Sequence, residues 1–196
     1  GISWQCSEVA SRFAIGSSDD AVGAASQRRR AAQRHAPRRS LHNMAALSFA
    51  SSFGDHAVLQ QAPAQAVVWG FAPAALGVTL TLAGGGLSSK LYGRLQPFNA
   101  TAYTWRVSLP PIAADHKPYS ITIEQAGAPS ATLRDVLFGE VWVCSGQSNM
   151  AFLVENAFGG ADLVQDANNH PEVRLFTTRK LTAGSPLQEL GQDTNE

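Results

Sequence analysis

The residues best suited to chemistry form one short uncharged stretch, the serine stretch: Gly146, Gln147, Ser148 and Asn149. It follows the apolar run 136–143, and its glycine allows the backbone to turn sharply and to approach a ligand closely. A hydroxyl held at the end of a buried strand suits acyl transfer, because the strand fixes its position. The stretch therefore predicts that Ser148 is a nucleophile, beside two amides that donate hydrogen bonds without adding charge.

Ser148 does not lie in the nucleophile elbow of the common α/β-hydrolases. That motif has a second glycine two residues after the serine, where this chain has Met150. We expect the chain to enter a helix or loop here, with the N–H of Ser148 pointing into the site as an oxyanion donor. Ser145 is a rival nucleophile that lies nearer to the strand. Either hydroxyl requires a base that removes its proton.

Four segments of the sequence resemble the sialate O-acetylesterase family of the SGNH hydrolase superfamily, which is related to the carbohydrate acetylesterases. The most specific block is Phe138–Met150, around the serine stretch. Upstream, Asp55–Pro63 and Ala66–Gly70 are similar to the opening of the β-domain that precedes the hydrolase in that family. Downstream, the likeness continues through Val173–Phe176. The resemblance thus covers the chain from about Leu47 to its end.

The resemblance implies a serine esterase that removes acetyl groups from sugar hydroxyls, chiefly from O-acetylated sialic acid. Ser148 would form the acyl-enzyme and donate its N–H to the oxyanion, supported by Gly146, Gln147 and Asn149. The family also needs a late Asp-x-x-His pair whose histidine is the base, and this sequence contains no such pair. Removal of acetyl groups from xylan is an alternative, and so is carbohydrate binding without catalysis.

The histidines offer no replacement for that base. Asp166 and His170 are four residues apart and, with the proline that follows, are typical of the end of a helix. His56 and His116 each follow an aspartate, and we expect both of these pairs in solvated turns. The base is therefore expected beyond the chain end, which makes the chain an inactive fragment in this interpretation.

Composition divides the chain into three segments. Residues 1–43 hold seven arginines and three acidic residues, which predicts a disordered or non-native basic arm. Residues 45–136 contain short β-branched runs separated by Gly and Pro, a pattern typical of a small antiparallel β-sandwich. Residues 137–196 are expected to begin an α/β domain, for which the resemblance implies a flavodoxin-like, three-layer SGNH hydrolase that is truncated here.

The pattern of apolar residues places individual elements. Short strands are expected at Val67–Trp69, Val78–Leu82, Leu91–Tyr92, Tyr103–Leu109 and Tyr119–Ile123. A strand covered on both faces is expected at Leu137–Val143, then a helix at Asp162–Asn168 and a second strand at Val173–Thr177. Strand, helix and strand in that order begin a parallel βαβ unit. One such unit lacks partner strands, which again indicates a fragment.

Several classes of function and site receive no support from the sequence. Residues 44–196 are net acidic, which does not favour nucleic acid as a partner, and no apolar run approaches the roughly 18 residues of a membrane span. Metal-ligand spacing is absent, so no metal or cofactor is expected. Cys144 is expected to be buried and Cys6 unstructured, while Trp69 and Trp105 are expected in the sandwich core rather than as sugar-stacking platforms. No secretory signal precedes Met44, and localisation and oligomeric state stay open.

Overall fold

A computed structural model describes residues 46–178, 184 and 189–190 of the chain. The basic arm and Cys6 lie outside these described residues. The elements, in chain order, are β1 (Ser48–Phe49), β2 (Val58–Gln60), β3 (Val67–Ala72), β4 (Val78–Gly84), β5 (Leu87–Tyr92), β6 (Arg94–Pro97), β7 (Tyr103–Ser108), β8 (Tyr119–Gln125), β9 (Ala131–Gly139) and the helix α1 (Gly160–Asp166). They belong to two compact units: the β-unit, with described residues 46–143, 184 and 189–190, and the serine unit, residues 144–178.

The strands of the β-unit form two sheets. The first sheet has the order β1-β3-β7-β6, and the second sheet has the order β2-β9-β8-β4-β5. The described pairings are antiparallel except that of β2 with β9, which is parallel. The five short strands predicted from the sequence correspond to β3, β4, β5, β7 and β8. The predominance of β-structure that the sequence predicts is therefore confirmed.

One apolar core is shared by the two sheets, and Trp105 on β7 is its largest fully buried side chain. The indole N–H of Trp105 donates to the carbonyls of Ser48 and Phe71, each at 3.1 Å. Phe49 packs edge-to-face against the same ring, with the ring centroids 5.5 Å apart. A buried indole needs such an acceptor. Trp105 thus lies in the core, as predicted, and ties β1 to β3 and β7.

A single residue, Gly93, separates β5 in the second sheet from β6 in the first. Its N–H donates to the carbonyl of Val78 at 2.8 Å. A Cβ at this position would lie 3.4 Å from the Cβ of Val78 and 3.6 Å from that of Trp105. The backbone therefore passes close to the core as it changes sheets, and this crossing places Arg94 at the start of the edge strand β6.

A second long-range link joins distant parts of the chain within the β-unit. The backbone N–H of Ser51 donates to one carboxylate oxygen of Glu189 at 2.9 Å, and its hydroxyl donates to the other at 2.7 Å. Two charge-assisted hydrogen bonds to one carboxylate fix it in orientation as well as in position. Residues 189–190 are held on the β-unit in this way.

The predicted strand Leu137–Val143 is only partly formed. Its first residues, Leu137–Gly139, are the end of β9, which pairs with β8 and β2 in the second sheet. The next apolar side chains lie beyond the strand, with exposed fractions of 48% at Val141, 79% at Trp142 and 92% at Val143. Of the predicted strand, only Leu137–Gly139 pairs within the second sheet, and the apolar residues from Val141 onward are exposed.

The serine unit contains the helix that the sequence predicts but not the second strand. The prediction of a helix at Asp162–Asn168 is confirmed by α1 and a 3-10 turn, Ala167–Asn169, that continues it. Val173–Thr177 does not form a strand in the structure. The expected start of a parallel α/β domain is thus not found in the part of the chain that the structure describes. Nor is any described helix long and apolar enough to cross a membrane.

Candidate functional site

Ser148 opens a short 3-10 turn, Ser148–Ala151. Gln147 precedes it in an extended conformation, with φ −97° and ψ −160°. The N–H of Met150 donates to the carbonyl of Gln147 at 2.9 Å and closes the turn. The chain therefore does enter a helical turn at the serine, but the preceding strand ended at Gly139. Ser148 is held by a turn rather than by the end of a strand.

The serine stretch is open to solvent. Gly146, Gln147, Ser148 and Asn149 are all exposed, and so is the rival Ser145. The first N–H groups of a helical turn have no partner inside it, so the turn itself leaves the N–H of Ser148 available. Among the described residues, no hydrogen bond to the Ser148 hydroxyl is formed. The arrangement can present a hydroxyl and an N–H donor to a ligand, but it shows no base beside that hydroxyl.

Gly146 lies against a side chain of its own turn, and its backbone angle is not unusual. A Cβ at this position would lie 2.5 Å from the Cγ of Met150. Met150 is partly buried and folds back across the turn toward Gly146. Because methionine is flexible, a larger residue at position 146 would displace this side chain before it displaced the backbone. Cys144, expected to be buried, is a free and partly exposed thiol at the start of the same unit.

Asp166 and His170 meet at the end of α1, in the same unit as Ser148. Their Oδ2 and Nε2 atoms are 3.3 Å apart, and both residues are exposed. Hydrogen bonds from Asn169 and, second, from His170 lower the pKa of the Asp166 carboxyl. The two residues thus lie at the end of a helix, as the sequence predicts, and the imidazole contacts the Asp166 carboxylate and does not hydrogen bond to Ser148.

The other two described histidines lie in exposed turns of the β-unit, as predicted. His56 has a φ of 64°, and its Nδ1 is 2.5 Å from the Oδ2 of Asp135, whose φ is 53°. Its partner is thus not the neighbouring aspartate, since Asp55 accepts the N–H of Arg134 at 2.8 Å instead. His116 has a φ of 56°. No group of three or more His, Cys, Asp or Glu residues in the described ranges is placed to hold a metal ion.

A second candidate site, which the sequence analysis missed, lies on the outer face of the first sheet. Trp69 on β3 is in register with Arg106 on β7, and Arg106 is in register with Arg94 on β6. We call these three residues the outer row. Both arginines are exposed and Trp69 is partly exposed, whereas the neighbouring Trp105 points into the core. The prediction that Trp69 lies in the core is therefore wrong.

The alternation of side chains along a strand explains why Trp105 is buried and why Trp69 is not. Successive residues of a strand point to opposite faces, so Trp105 and Arg106 must separate. Trp69 faces outward because its neighbour Val68 is fully buried in the core. The sequence shows this alternation within β7, but only the strand order β3-β7-β6 brings the three side chains into one row.

Comparison with known proteins gives a consistent set of relatives. No family profile matches the chain. The sialate O-acetylesterase of Mus musculus is 36% identical over 147 residues, which are 72% of this chain and 26% of that protein. The sialate O-acetylesterase of Rattus norvegicus is 35% identical over 145 residues, which are 72% of this chain and 26% of that protein. The sialate O-acetylesterase of Homo sapiens is 34% identical over 145 residues, which are 72% of this chain and 27% of that protein. The chain spans about a quarter of the length of the curated relatives it matches.

Proposed function

Because the chain belongs to the sialate O-acetylesterase family, we propose that it is part of a serine esterase that removes O-acetyl groups from carbohydrates. Ser148 is the nucleophile in this proposal. The main support is the similarity to proteins of that name, and the local structure is compatible with it. Ser148 opens an exposed turn whose own hydrogen bonds leave its N–H available.

The proposed reaction has two steps. In the first, the Oγ of Ser148 attacks the acetyl carbonyl while a base takes the hydroxyl proton. The oxyanion that forms accepts a hydrogen bond from the N–H of Ser148, helped by the amides of Gln147 and Asn149. Collapse of this intermediate breaks the bond to the sugar oxygen, which leaves with a proton, and acetyl-Ser148 remains. In the second step water releases acetate and restores the serine.

The base in this scheme is an imidazole from elsewhere in the full-length protein. The described histidine of the serine unit, His170, is bound to Asp166 at 3.3 Å and does not contact Ser148. A serine without a base is a poor nucleophile. For that reason the 196-residue chain alone is proposed to be inactive as an esterase, whereas the full-length protein is active.

The proposed substrate is an O-acetylated sialic acid, since that is the sugar in the names of the relatives. Acetylated xylan is the alternative, and the two differ in charge. Sialic acid carries a carboxylate, which calls for an arginine or lysine in the pocket, whereas xylan does not. Acetate release from both substrates by the full-length protein distinguishes the two assignments.

Replacement of the proposed nucleophile is the direct test. In the full-length protein, Ser148→Ala is expected to lower kcat for O-acetylated sialic acid by about a thousandfold or more, because no acyl-enzyme can form. Ser145→Ala is the matched control, since it removes an exposed hydroxyl three residues away and is expected to keep the activity. The measurement is acetate release, with circular dichroism to verify that both variants are folded.

Two results would contradict the assignment of Ser148. One is normal turnover in a folded Ser148→Ala variant. The other is loss of activity in Ser145→Ala with retention in Ser148→Ala, which would make Ser145 the nucleophile. Labelling with a serine-reactive phosphonate, followed by peptide mass spectrometry, provides an independent readout, and the label is expected on Ser148.

A further inference from the structure

The outer row places two positive charges directly opposite each other. Arg94 and Arg106 are cross-strand partners in the antiparallel pair β6–β7. Directly opposite residues have Cβ atoms about 5 Å apart, and like charges at such positions destabilise a sheet. The repulsion between Arg94 and Arg106 therefore destabilises the sheet unless another group offsets it.

Such compensation is absent from the first sheet itself. Its four strands contain these two arginines and no aspartate or glutamate. Within the part of the chain that the structure describes, neither guanidinium forms an ion pair. An arginine presents its donors as a rigid planar fork, which fits a carboxylate. The pair is thus free to bind an anion from solution.

Trp69 extends the same row with a flat and supported apolar surface. The rings of Trp69 and Phe71 meet edge-to-face, with centroids 5.8 Å apart, and Phe71 is fully buried. Phe71 is held in turn by Phe98 at 5.2 Å. The indole of Trp69 is therefore backed by fixed aromatic rings while part of it stays accessible. An aromatic face of this kind can pack against the apolar face of a sugar ring.

We propose that the outer row binds a sugar that carries a carboxylate. The sugar ring lies on Trp69, and the carboxylate accepts hydrogen bonds from Arg106 and Arg94, which relieves the repulsion between the two guanidinium groups. The identification of this sugar as a sialic acid rests on the proposed function, whereas its anionic character rests on the arginine pair. The site does not include Ser148, so its role is to hold a glycan rather than to cleave it.

Titration of the 196-residue chain with sialyllactose, and with lactose as the uncharged counterpart, tests this proposal. Calorimetry or ligand-observed NMR is expected to show saturable binding of sialyllactose and at least tenfold weaker binding of lactose. Arg106→Gln, which removes an exposed charge and leaves β7 intact, is expected to weaken sialyllactose binding at least tenfold. Trp69→Ala is expected to weaken both sugars.

Matched control variants show whether binding depends on the outer row itself, on the general positive charge of the protein or on the proposed esterase site. Arg134→Gln removes an exposed arginine from β9 in the second sheet and is expected to bind sialyllactose as the wild type does. Ser148→Ala is expected to bind equally well. Loss of binding in Arg106→Gln but not in Ser148→Ala therefore supports the outer row whether or not Ser148 proves to be the nucleophile.

Several outcomes would overturn the proposal. Absence of saturable sialyllactose binding is one, and an unchanged affinity in Arg106→Gln is another. Equal affinity for lactose would remove the role of the carboxylate. Displacement of sialyllactose by inorganic phosphate at similar concentration would reduce the outer row to a general anion site without preference for a sugar.

Discussion

At the residue scale, Tyr119 in the β-unit is a titratable group whose surroundings change its pKa. Burial, and then a hydrogen bond from its hydroxyl to the Asp115 carboxylate at 3.2 Å, raise the pKa of the phenol above its ordinary value of about 10. The ring also packs edge-to-face against Phe138, with centroids 5.1 Å apart. A phenolate at this position would be desolvated and would face a negative carboxylate, so the neutral form is favoured.

This shift predicts a loss of stability at high pH. The folded state holds the Tyr119 proton more tightly than the unfolded state, so the stabilisation is complete below a pH of about 10 and is lost as pH rises through the folded pKa. Asp115→Asn is expected to lower the pKa of Tyr119 only partly, because burial remains, and to reduce the loss of stability over that window. Near-ultraviolet absorbance of the phenolate measures the titration. The part of the absorbance change that is lost in Tyr119→Phe belongs to Tyr119. An unchanged titration in Asp115→Asn would show that the hydrogen bond is not formed.

At the scale of elements, the strand β1 depends on a glycine of its partner strand β3. It has only two residues, and Phe49 is the register partner of Gly70 on β3. A Cβ on Gly70 would collide with the carbonyl oxygen of Ser48 and would lie 2.8 Å from the Cα of Phe49. These are backbone atoms, which cannot move aside as a flexible side chain can. The close approach of the two strands therefore requires glycine at this position.

Gly70→Ala is expected to destabilise the β-unit by about 1–3 kcal/mol, because the methyl group forces β1 away from β3. Gly77→Ala is the matched control, since no atom lies within 4 Å of a Cβ there and its φ is not in the left-handed region. Both changes affect the unfolded chain alike, so the difference between them reports on the folded state. Urea unfolding measures this difference in the free energy of unfolding. Equal midpoints for the two variants would contradict the close approach of β1 and β3.

The comparison of elements also shows which features a sequence can predict. The alternation along β7 is local, so the strand and the burial of Trp105 could be predicted. The apolar run after Val136 could not be assigned to the correct sheet, since β2, which pairs with Leu137–Gly139, is distant in the chain. The same holds for the candidate site: the residue type of Ser148 is visible in the sequence, whereas the base that the proposed mechanism requires would have to be brought there by tertiary structure.

Across the whole described molecule, exposed apolar side chains are concentrated after β9. Besides Val141, Trp142 and Val143, they include Phe152, Phe158, Val173 and Phe176. Within the β-unit, Val141, Trp142 and Val143 are three consecutive exposed apolar side chains, and an exposed apolar run of this kind commonly marks a surface that another element or a partner covers. We therefore retain, as a proposal, the interpretation that residues 140–143 continue β9 into a strand that is buried in the full-length protein.

A substitution at Trp142 tests whether residues 140–143 are exposed in the 196-residue chain and buried in the full-length protein. In the 196-residue chain its side chain is 79% exposed, so Trp142→Gln is expected to change the free energy of unfolding by no more than about 0.5 kcal/mol. In the full-length protein the same change would place an amide in a buried strand and is expected to cost about 3 kcal/mol or more, because a large apolar contact is lost and a polar group is left without partners. Denaturant unfolding of both lengths, with the fully buried Trp105→Ala as a control that destabilises both, measures the contrast. If Trp142→Gln is equally mild in the two proteins, residues 140–143 are not part of a buried strand, and the resemblance of this segment to a hydrolase core does not extend to its fold.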